Sequence, residues 1–272
     1  MKIINKIRNF LLGVLRHSEL IYFSTTHEVR ELLKTFPEAR LEHFGYKAYS
    51  QNDEDGIIAE IFHRIGIKNH TFVEFGVEDG RECNTALLLR QNWYGLWIEG
   101  NKKHFKTINY LYENMIKNGR LYIKNEFITA TNINSLINDT FQGEIDLLSI
   151  DIDGNDIHIW EAIKSISARV VVIEYNALYP ADTEYVMPYD EKYVSEFTDS
   201  FGASLKSINI RAEKMGYILV ATNISGSNAF FVRKDLAKNL FYEAGNVKKL
   251  YNPARYYLRF YSGHPVSKVK IS

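Results

Sequence analysis

The chain has 272 residues, of which 46% are hydrophobic and 14% aromatic, so it can form one large α/β domain and is not a disordered protein. Lysine plus arginine and aspartate plus glutamate total 33 each; this zero net charge argues against a nucleic-acid partner. The single cysteine, Cys83, excludes an intramolecular disulfide and a cysteine-rich zinc site, and it suits a reducing cytoplasm.

The N-terminal stretch Met1–Arg16 has basic residues among apolar residues at helical spacing. Lys6 and Arg8 interrupt the apolar run, which is unlike a signal peptide, and the run is too short to cross a bilayer. Two interpretations stay open: a helix packed on the domain, which we favour, or a peripheral helix at the inner face of the membrane. A second amphipathic stretch, Val29–Phe36, ends at Pro37.

From Ser50 onward the apolar pattern predicts alternating strands and helices. The predicted strands are Thr71–Phe75, Tyr94–Ile98, Leu121–Ile123, Ile145–Ile150, Val170–Tyr175, Tyr217–Thr222 and Ala229–Arg233. The predicted helices are one capped by Asn52 and Asp53 and stopped by Gly66, then Asn84–Gln91, Phe105–Ile116, Asn132–Ile137, Ile157–Ile166 and Ser204–Met215.

Strands that are apolar on both faces and alternate with helices indicate a mainly parallel seven-stranded sheet covered by helices on both sides. The last two strands read as an antiparallel hairpin, which fits the Rossmann-like plan of class I methyltransferases better than a dehydrogenase plan. We predict a helical lead-in over 1–45, the main domain over 46–238 and a C-terminal extension over 239–272.

The segment TFVEFGVEDG predicts a ligand-binding loop at the end of the first strand, where open α/β sheets bind their ligands. Gly76 and Gly80 would let a ligand approach the backbone closely. Their spacing is not the GxGxxG of dinucleotide enzymes, and Glu74 and Glu78 would repel a pyrophosphate. Such a loop suits a donor that carries an amine and a sulfonium, as S-adenosylmethionine does.

The second strand ends at Glu99, a little over twenty residues beyond Gly76. A carboxylate at this place can accept hydrogen bonds from both hydroxyls of a ribose. The alternative is a solvated loop acid. We favour the ribose role, since Glu99 directly follows a buried strand.

These residues belong to stretches that resemble FkbM-type methyltransferases and a related group found in bacterial polysaccharide gene clusters. The matching stretches are SQNDEDGIIAEIF, FVEFGVEDGRECNT, GLWIEG, FITATNIN, IDLLSIDIDGND, VVVIEYN and NAFFVRKDL, which span roughly residues 50–236. The resemblance implies S-adenosylmethionine as donor and an oxygen of a sugar or sugar-like metabolite as acceptor. It further implies that Ser50 and Gln51 help to cover the donor, and we include Asn84 and Thr129, from two matching stretches, among the donor contacts.

A second acidic group lies farther along, in SIDIDGND. Asp151 and Asp153 follow one core strand, and their spacing of two places both side chains on one face. Glu174 and Asn176 end the next strand. Oxygen ligands of this kind suit magnesium or manganese, which could bind the acceptor and lower the pKa of its hydroxyl.

A metal-free arrangement is the alternative. Asp151 would then hold the amine of the donor, and Asp153 or His158 would act as general base. His158 could equally be a cap or packing residue. The leading hypothesis is an S-adenosylmethionine-dependent O-methyltransferase in surface polysaccharide biosynthesis. The alternative is a non-catalytic binding partner with the same fold; the sequence leaves the oligomeric state open.

Overall fold

The computed structural model describes residues 24–194 and 199–258. Its strands are β1 (Thr71–Phe75), β2 (Tyr94–Ile98), β3 (Leu121–Lys124), β4 (Gly143–Ile150), β5 (Ile166–Glu174), β6 (Tyr217–Thr222) and β7 (Asn228–Arg233). They form one sheet in the order β3-β2-β1-β4-β5-β7-β6. Only β7 runs antiparallel to its neighbours, β5 and β6, so the predicted mainly parallel sheet with a terminal hairpin is confirmed.

The helices are α1 (Glu54–Ile65), α2 (Ala86–Arg90), α3 (Lys102–Leu111), α4 (Glu113–Lys117), α5 (Ile133–Asn138), α6 (Asp156–Ala162), α7 (Leu205–Lys214), α8 (Lys234–Ala237) and α9 (Val247–Leu250). A further helix covers 24–34, and a 3₁₀ turn covers Leu41–Phe44.

Both faces of the sheet are buried, because successive residues of each strand enter opposite hydrophobic clusters. Phe72 packs into the cluster that contains α1, and its neighbour Val73 packs into the cluster on the other face. Leu147 and Leu148 of β4 divide in the same way. This double burial explains why apolar residues predominate in the strands.

Two predicted helices need correction. The stretch 105–116 is two helices, α3 and α4, and α3 starts earlier because the Asn101 side chain caps the Lys103 amide at 2.9 Å. The stretch 157–166 ends as a helix at Ala162, and Ile166 already belongs to β5. Asn134 stops α6: its amide nitrogen donates to the Ala162 carbonyl at 2.8 Å, and its Oδ1 accepts from the backbone N–H of residue 164.

The predicted side-chain cap of α1 is also wrong. Asp53 occupies the N-cap position but makes no capping hydrogen bond. The nearest donor to its Oδ2 is instead the amide of Ile224, at 3.4 Å. Asn52 donates its side-chain amide to Glu54. Gly66 does end the helix, with its N–H bonded to the Phe62 carbonyl.

The lead-in and the C-terminal extension pack on each other. Arg40 donates to the Lys249 carbonyl at 2.9 Å and pairs with Glu42, and Asn252 donates to Glu42 at 3.0 Å. The predicted helix over 1–16 lies outside the described residues, so its two interpretations remain predictions. Within 24–194 and 199–258, no helix has both the length and the apolar character that a membrane span requires.

Candidate active site

One cleft of about 430 Å³ lies at the edge of the sheet where the parallel strands β1, β2, β4 and β5 have their carboxyl ends. Its volume falls in the range of small-molecule sites. Six carboxylates line it, those of Glu78, Glu99, Glu126, Asp151, Asp153 and Glu174. No lysine or arginine is among the described residues that line the cleft. The cleft therefore favours a cationic ligand and disfavours a phosphate.

Gly76 brings the loop after β1 against the end of β4. Its φ of +71° lies in the left-handed region, and a Cβ atom there would overlap the carbonyl oxygen of Asp151. Its N–H donates to the Ile98 carbonyl at 3.2 Å, which ties the loop to the end of β2 as well. Gly76 lines the cleft, as predicted, and no other residue fits this contact without distortion.

Glu74, which was predicted to bind the donor, does not line this main cleft. It is buried, and its carboxylate accepts the Asn84 amide at 2.8 Å, the Thr85 hydroxyl at 2.5 Å and the Ser149 hydroxyl at 3.0 Å. Burial raises its pKa, and the donors from Thr85 and Asn84 act in the opposite direction. Glu74 therefore fixes the chain that follows the loop. It lines only a small side cavity next to the cleft.

Gly80 and Asn84 also lie outside the main cleft. The φ of Gly80 is +76°, and a Cβ there would come within 3.0 Å of the rings of Trp97 and Tyr112. Gly80 is thus needed for packing under the loop. The Asn84 side chain donates to Ser149 at 3.1 Å and reaches only the side cavity and a neighbouring apolar pocket.

Glu99 lies in the cleft, directly after β2. One carboxylate oxygen accepts the Asn101 amide at 2.7 Å, and the His104 ring nitrogen lies 3.9 Å away. Desolvation raises the pKa of Glu99, while the Asn101 amide and His104 lower it. The side chain is held in place and still faces the cleft, which is what the predicted ribose contact requires.

Asp151, Asp153 and Glu174 meet at the opposite end of the cleft. Each offers a carboxylate oxygen within 4.8 Å of the other two. Burial raises the pKa of Asp151 and Glu174 well above the usual range, and the neighbouring acids raise it further. Such a group retains protons unless a cation or hydrogen-bond donors offset the repulsion.

A turn, and not strand alternation, brings these acids together. β4 ends at Ile150, before both aspartates, and Asp153 has a φ of +60°. The carboxylate of Asp156 supports the turn by accepting the amides of Ile152 at 2.9 Å and Gly154 at 2.8 Å. Burial raises the pKa of Asp156 to about 6.

Two residues predicted near this acidic group lie elsewhere. The Asn176 side chain is fully buried; it donates to the carbonyls of Asp199 and Phe201 and accepts the Leu178 amide, so it has no oxygen free for a metal. The Nε2 atom of His158 is 2.7 Å from the Met187 carbonyl, which can only accept, and His158 does not line the cleft. His158 therefore has the packing role that its sequence position left open.

Of the two residues predicted to cover the donor, only Gln51 lines the cleft. Ser50 is turned inward, and its amide and hydroxyl both donate to Asp55. Thr129 is also turned away: its hydroxyl accepts the Asn132 amide, and the preceding residue, Ile128, lines the cleft instead.

Several lining residues escaped the sequence interpretation. They are Ile98, Gly100, Asn101, His104, Glu126, Phe127, Ile128, Ile152, Asn155, Tyr193 and Val194. Most of them follow the carboxyl end of β2, β3 or β4. The rule that ligands bind outside these ends would have included the residues after β3, which had no motif of their own.

The strand order and the single antiparallel strand β7 decide the fold. The chain has the Rossmann-like fold of class I methyltransferases. Its sequence matches no family model and no curated protein.

Solved structures similar to the chain include three methyltransferases. A candidate caffeoyl-CoA O-methyltransferase from Staphylococcus aureus has 16% identity and a TM-score of 0.44, with 83% of this chain and 98% of that chain covered. An O-methyltransferase from Bacillus cereus in complex with SAH has 14% identity and a TM-score of 0.42, covering 76% and 89%. An S-adenosylmethionine-dependent methyltransferase from Clostridium acetobutylicum has 10% identity and a TM-score of 0.41, covering 78% and 98%.

Proposed function

We propose that the protein is an S-adenosylmethionine-dependent O-methyltransferase that acts on a sugar, glycan or sugar-like metabolite. The acidic cleft without lysine or arginine in its described lining carries this proposal. It suits a donor with a sulfonium and an ammonium, and it disfavours nicotinamide dinucleotides and other pyrophosphates. The sugar-type acceptor and the role in surface polysaccharide biosynthesis follow from the FkbM-type resemblance.

The donor fits along the loop after β1. Glu99, which lines the cleft, would accept hydrogen bonds from the ribose hydroxyls, and Gly76 would leave room for close approach to the backbone. Gln51 and Glu78 flank the same stretch of the cleft, and Asp151 lies beside Gly76. The donor would therefore lie across Gly76, with its adenosine toward Glu99 and its amino-acid end toward Asp151.

A divalent metal fits the group formed by Asp151, Asp153 and Glu174. In an octahedral magnesium site with metal–oxygen distances of about 2.1 Å, neighbouring oxygens lie roughly 3.0 Å apart and opposite ones roughly 4.2 Å apart. The three carboxylates each offer an oxygen within 4.8 Å of the other two, so small side-chain rotations would bring them into this range. A bound magnesium or manganese ion would offset their repulsion and lower the pKa of an acceptor hydroxyl.

The chain's own residues would position the acceptor and remove its proton. Methyl transfer is an in-line displacement: an oxygen–carbon bond forms while the carbon–sulfur bond breaks, and the electron pair of that bond stays on sulfur. The proton leaves the acceptor hydroxyl for a carboxylate. In the metal-free arrangement, Asp153 is the proposed general base, since it is the most exposed of the three acids and lines the cleft.

A methyl-transfer assay tests this function. We expect turnover of S-adenosylmethionine with some member of a panel of sugars and glycan fragments, its loss in chelator and its return with magnesium or manganese. Glu174→Gln should remove turnover and retain binding of S-adenosylhomocysteine. Unchanged turnover in chelator would refute the metal, and failure to bind either donor or product would refute the methyltransferase.

The charge of the cleft also limits the acceptor. Matched methyl glycosides that differ only in a neutral, amino, carboxylate or phosphate substituent should be methylated with efficiencies that depend on the charge of this substituent. We expect the neutral and amino forms to be methylated more efficiently than the anionic forms, with a difference that shrinks at high salt. Preference for the phosphorylated form would contradict this acceptor class.

A further inference from the structure

A small side cavity opens from the cleft beneath the loop after β1. Its volume is about 20 Å³, and its lining residues are Gln51, Glu74, Gly76, Glu78, Glu82, Cys83, Asn84, Asp151 and Asn228. Four of them also line the main cleft: Gln51, Gly76, Glu78 and Asp151. A polar cavity of this size holds about one water molecule, so it also has room for one ammonium group.

Asn228 lines this cavity and was not among the predicted site residues, although it begins the matching stretch NAFFVRKDL. It begins β7 and pairs with Glu174 at the end of β5. Only 6% of it is exposed, and its amide nitrogen donates to the Oε1 atom of Glu54 at 3.0 Å. Its Oδ1 atom is buried and has no hydrogen-bond partner among the described residues.

Glu54 determines which way the Asn228 amide faces. The same Oε1 atom of Glu54 also accepts the side-chain amides of Asn223 at 2.8 Å and Asn52 at 3.1 Å. A carboxylate that receives donors in this way attracts the NH₂ group of Asn228 and repels its carbonyl oxygen. The carbonyl oxygen must then point away from Glu54, and a buried acceptor of this kind lacks its hydrogen bond until a ligand supplies a donor.

We propose that the side cavity binds the ammonium group of the methyl donor, with the Oδ1 atom of Asn228 accepting one of its N–H bonds and Asp151 supplying negative charge. This assignment rests on the proposed function. In this assignment β7, the last strand in the chain, contributes to donor binding through Asn228. The amide oxygen of Asn228 is a neutral acceptor in a cavity that already contains several carboxylates. Glu54 acts through Asn228, as the residue that sets its orientation.

Calorimetry with two ligands tests the assignment. The ligands are S-adenosylhomocysteine and its deaminated analogue, in which a hydrogen atom replaces the amino group. Asn228→Ala should weaken the binding of S-adenosylhomocysteine by roughly tenfold or more, because one hydrogen bond to a charged group is lost. The affinity for the deaminated analogue should stay within about twofold of the wild-type value. Asn52→Ala is the control, since it removes another donor to Glu54 but no lining residue of the cavity.

Each outcome decides the question. If Asn228→Ala loses the same affinity for both ligands, Asn228 is a structural residue only. If the variant binds S-adenosylhomocysteine as the wild type does, the assignment is overturned directly. If Asn228→Ala does not fold, the wild-type protein still gives an answer: it must prefer the amino ligand by at least tenfold, and equal affinity refutes the ammonium site. A wild-type protein that binds neither ligand would instead refute the proposed function.

Discussion

Substitution of Gly76 by alanine tests the close contact on which the cleft depends. The added Cβ meets two separate penalties: a backbone φ of +71° and overlap with the Asp151 carbonyl oxygen. The first costs about 1–2 kcal/mol for a residue with a side chain. Overpacking against a backbone atom that cannot move freely costs a further 1–3 kcal/mol or so.

Gly119→Ala is the matched control. Gly119 has a φ of +70°, and the nearest atom to a Cβ there is the Tyr122 hydroxyl at 3.9 Å, so only the backbone penalty applies. The gain from a less flexible unfolded chain is the same for both variants and cancels. We expect Gly76→Ala to lower the free energy of unfolding by about 1–3 kcal/mol more than Gly119→Ala does.

Urea denaturation of the two variants measures this difference, and calorimetry adds a functional comparison. Gly119→Ala should bind S-adenosylhomocysteine like the wild type, whereas Gly76→Ala should lose binding because Asp151 is displaced. Equal destabilisation of the two variants, with binding retained in both, would refute the argument that Gly76 is required by its contact with β4.

Three further predictions follow from single residues. Glu99→Ala should weaken binding of S-adenosylhomocysteine by roughly 10–100-fold in calorimetry, since a charge-assisted hydrogen bond is lost; unchanged affinity would refute the ribose contact. His158→Gln should retain the turnover number of methyl transfer, because His158 does not line the cleft, and a large loss of turnover in a folded variant would restore His158 as the base. Burial raises the pKa of Asp53 from 3.8 to about 8, so between these two values the folded protein holds a proton that the unfolded chain releases, and this contribution to stability should be lost as the pH rises from about 4 to about 8 and stay constant above that. Asp53→Asn should flatten this decline in denaturation midpoints between about pH 5 and pH 8; parallel declines in the two proteins would contradict it.

The sequence predicted the sheet well because its strands are buried on both faces. Short, mostly apolar segments such as Thr71–Phe75 and Tyr94–Ile98 were placed at their observed bounds. Helix ends were less predictable, because they depend on distant partners. The end of α6 is set by Asn134, a residue of another helix that local pattern does not reveal.

The candidate site shows the same division. The positions of Glu99 and Gly76 follow from strand ends and the glycine pattern, and both line the cleft. The orientation of a side chain cannot be predicted in this way. Glu74 is still within β1 and points toward the start of α2, and at 128–129 a shift of one residue places Ile128, and not Thr129, in the cleft.

Asp151 and Asp153 were predicted to meet for a reason that the structure does not support. Alternation along a strand would have placed them together, but the strand ends before either residue. The turn supported by Asp156 produces the same meeting. Asn228 begins the matching stretch NAFFVRKDL but was not predicted as a site residue, because its place in the side cavity depends on the antiparallel pairing of β7 with β5.

A crystal structure of the complex with S-adenosylhomocysteine tests the central claim most directly. The claim predicts adenosine beside Glu99, the sulfur near Gly76 and the amino group in the side cavity next to Asn228. A complex in which the product lies elsewhere on the protein, with the acidic cleft empty at saturating ligand, would contradict it.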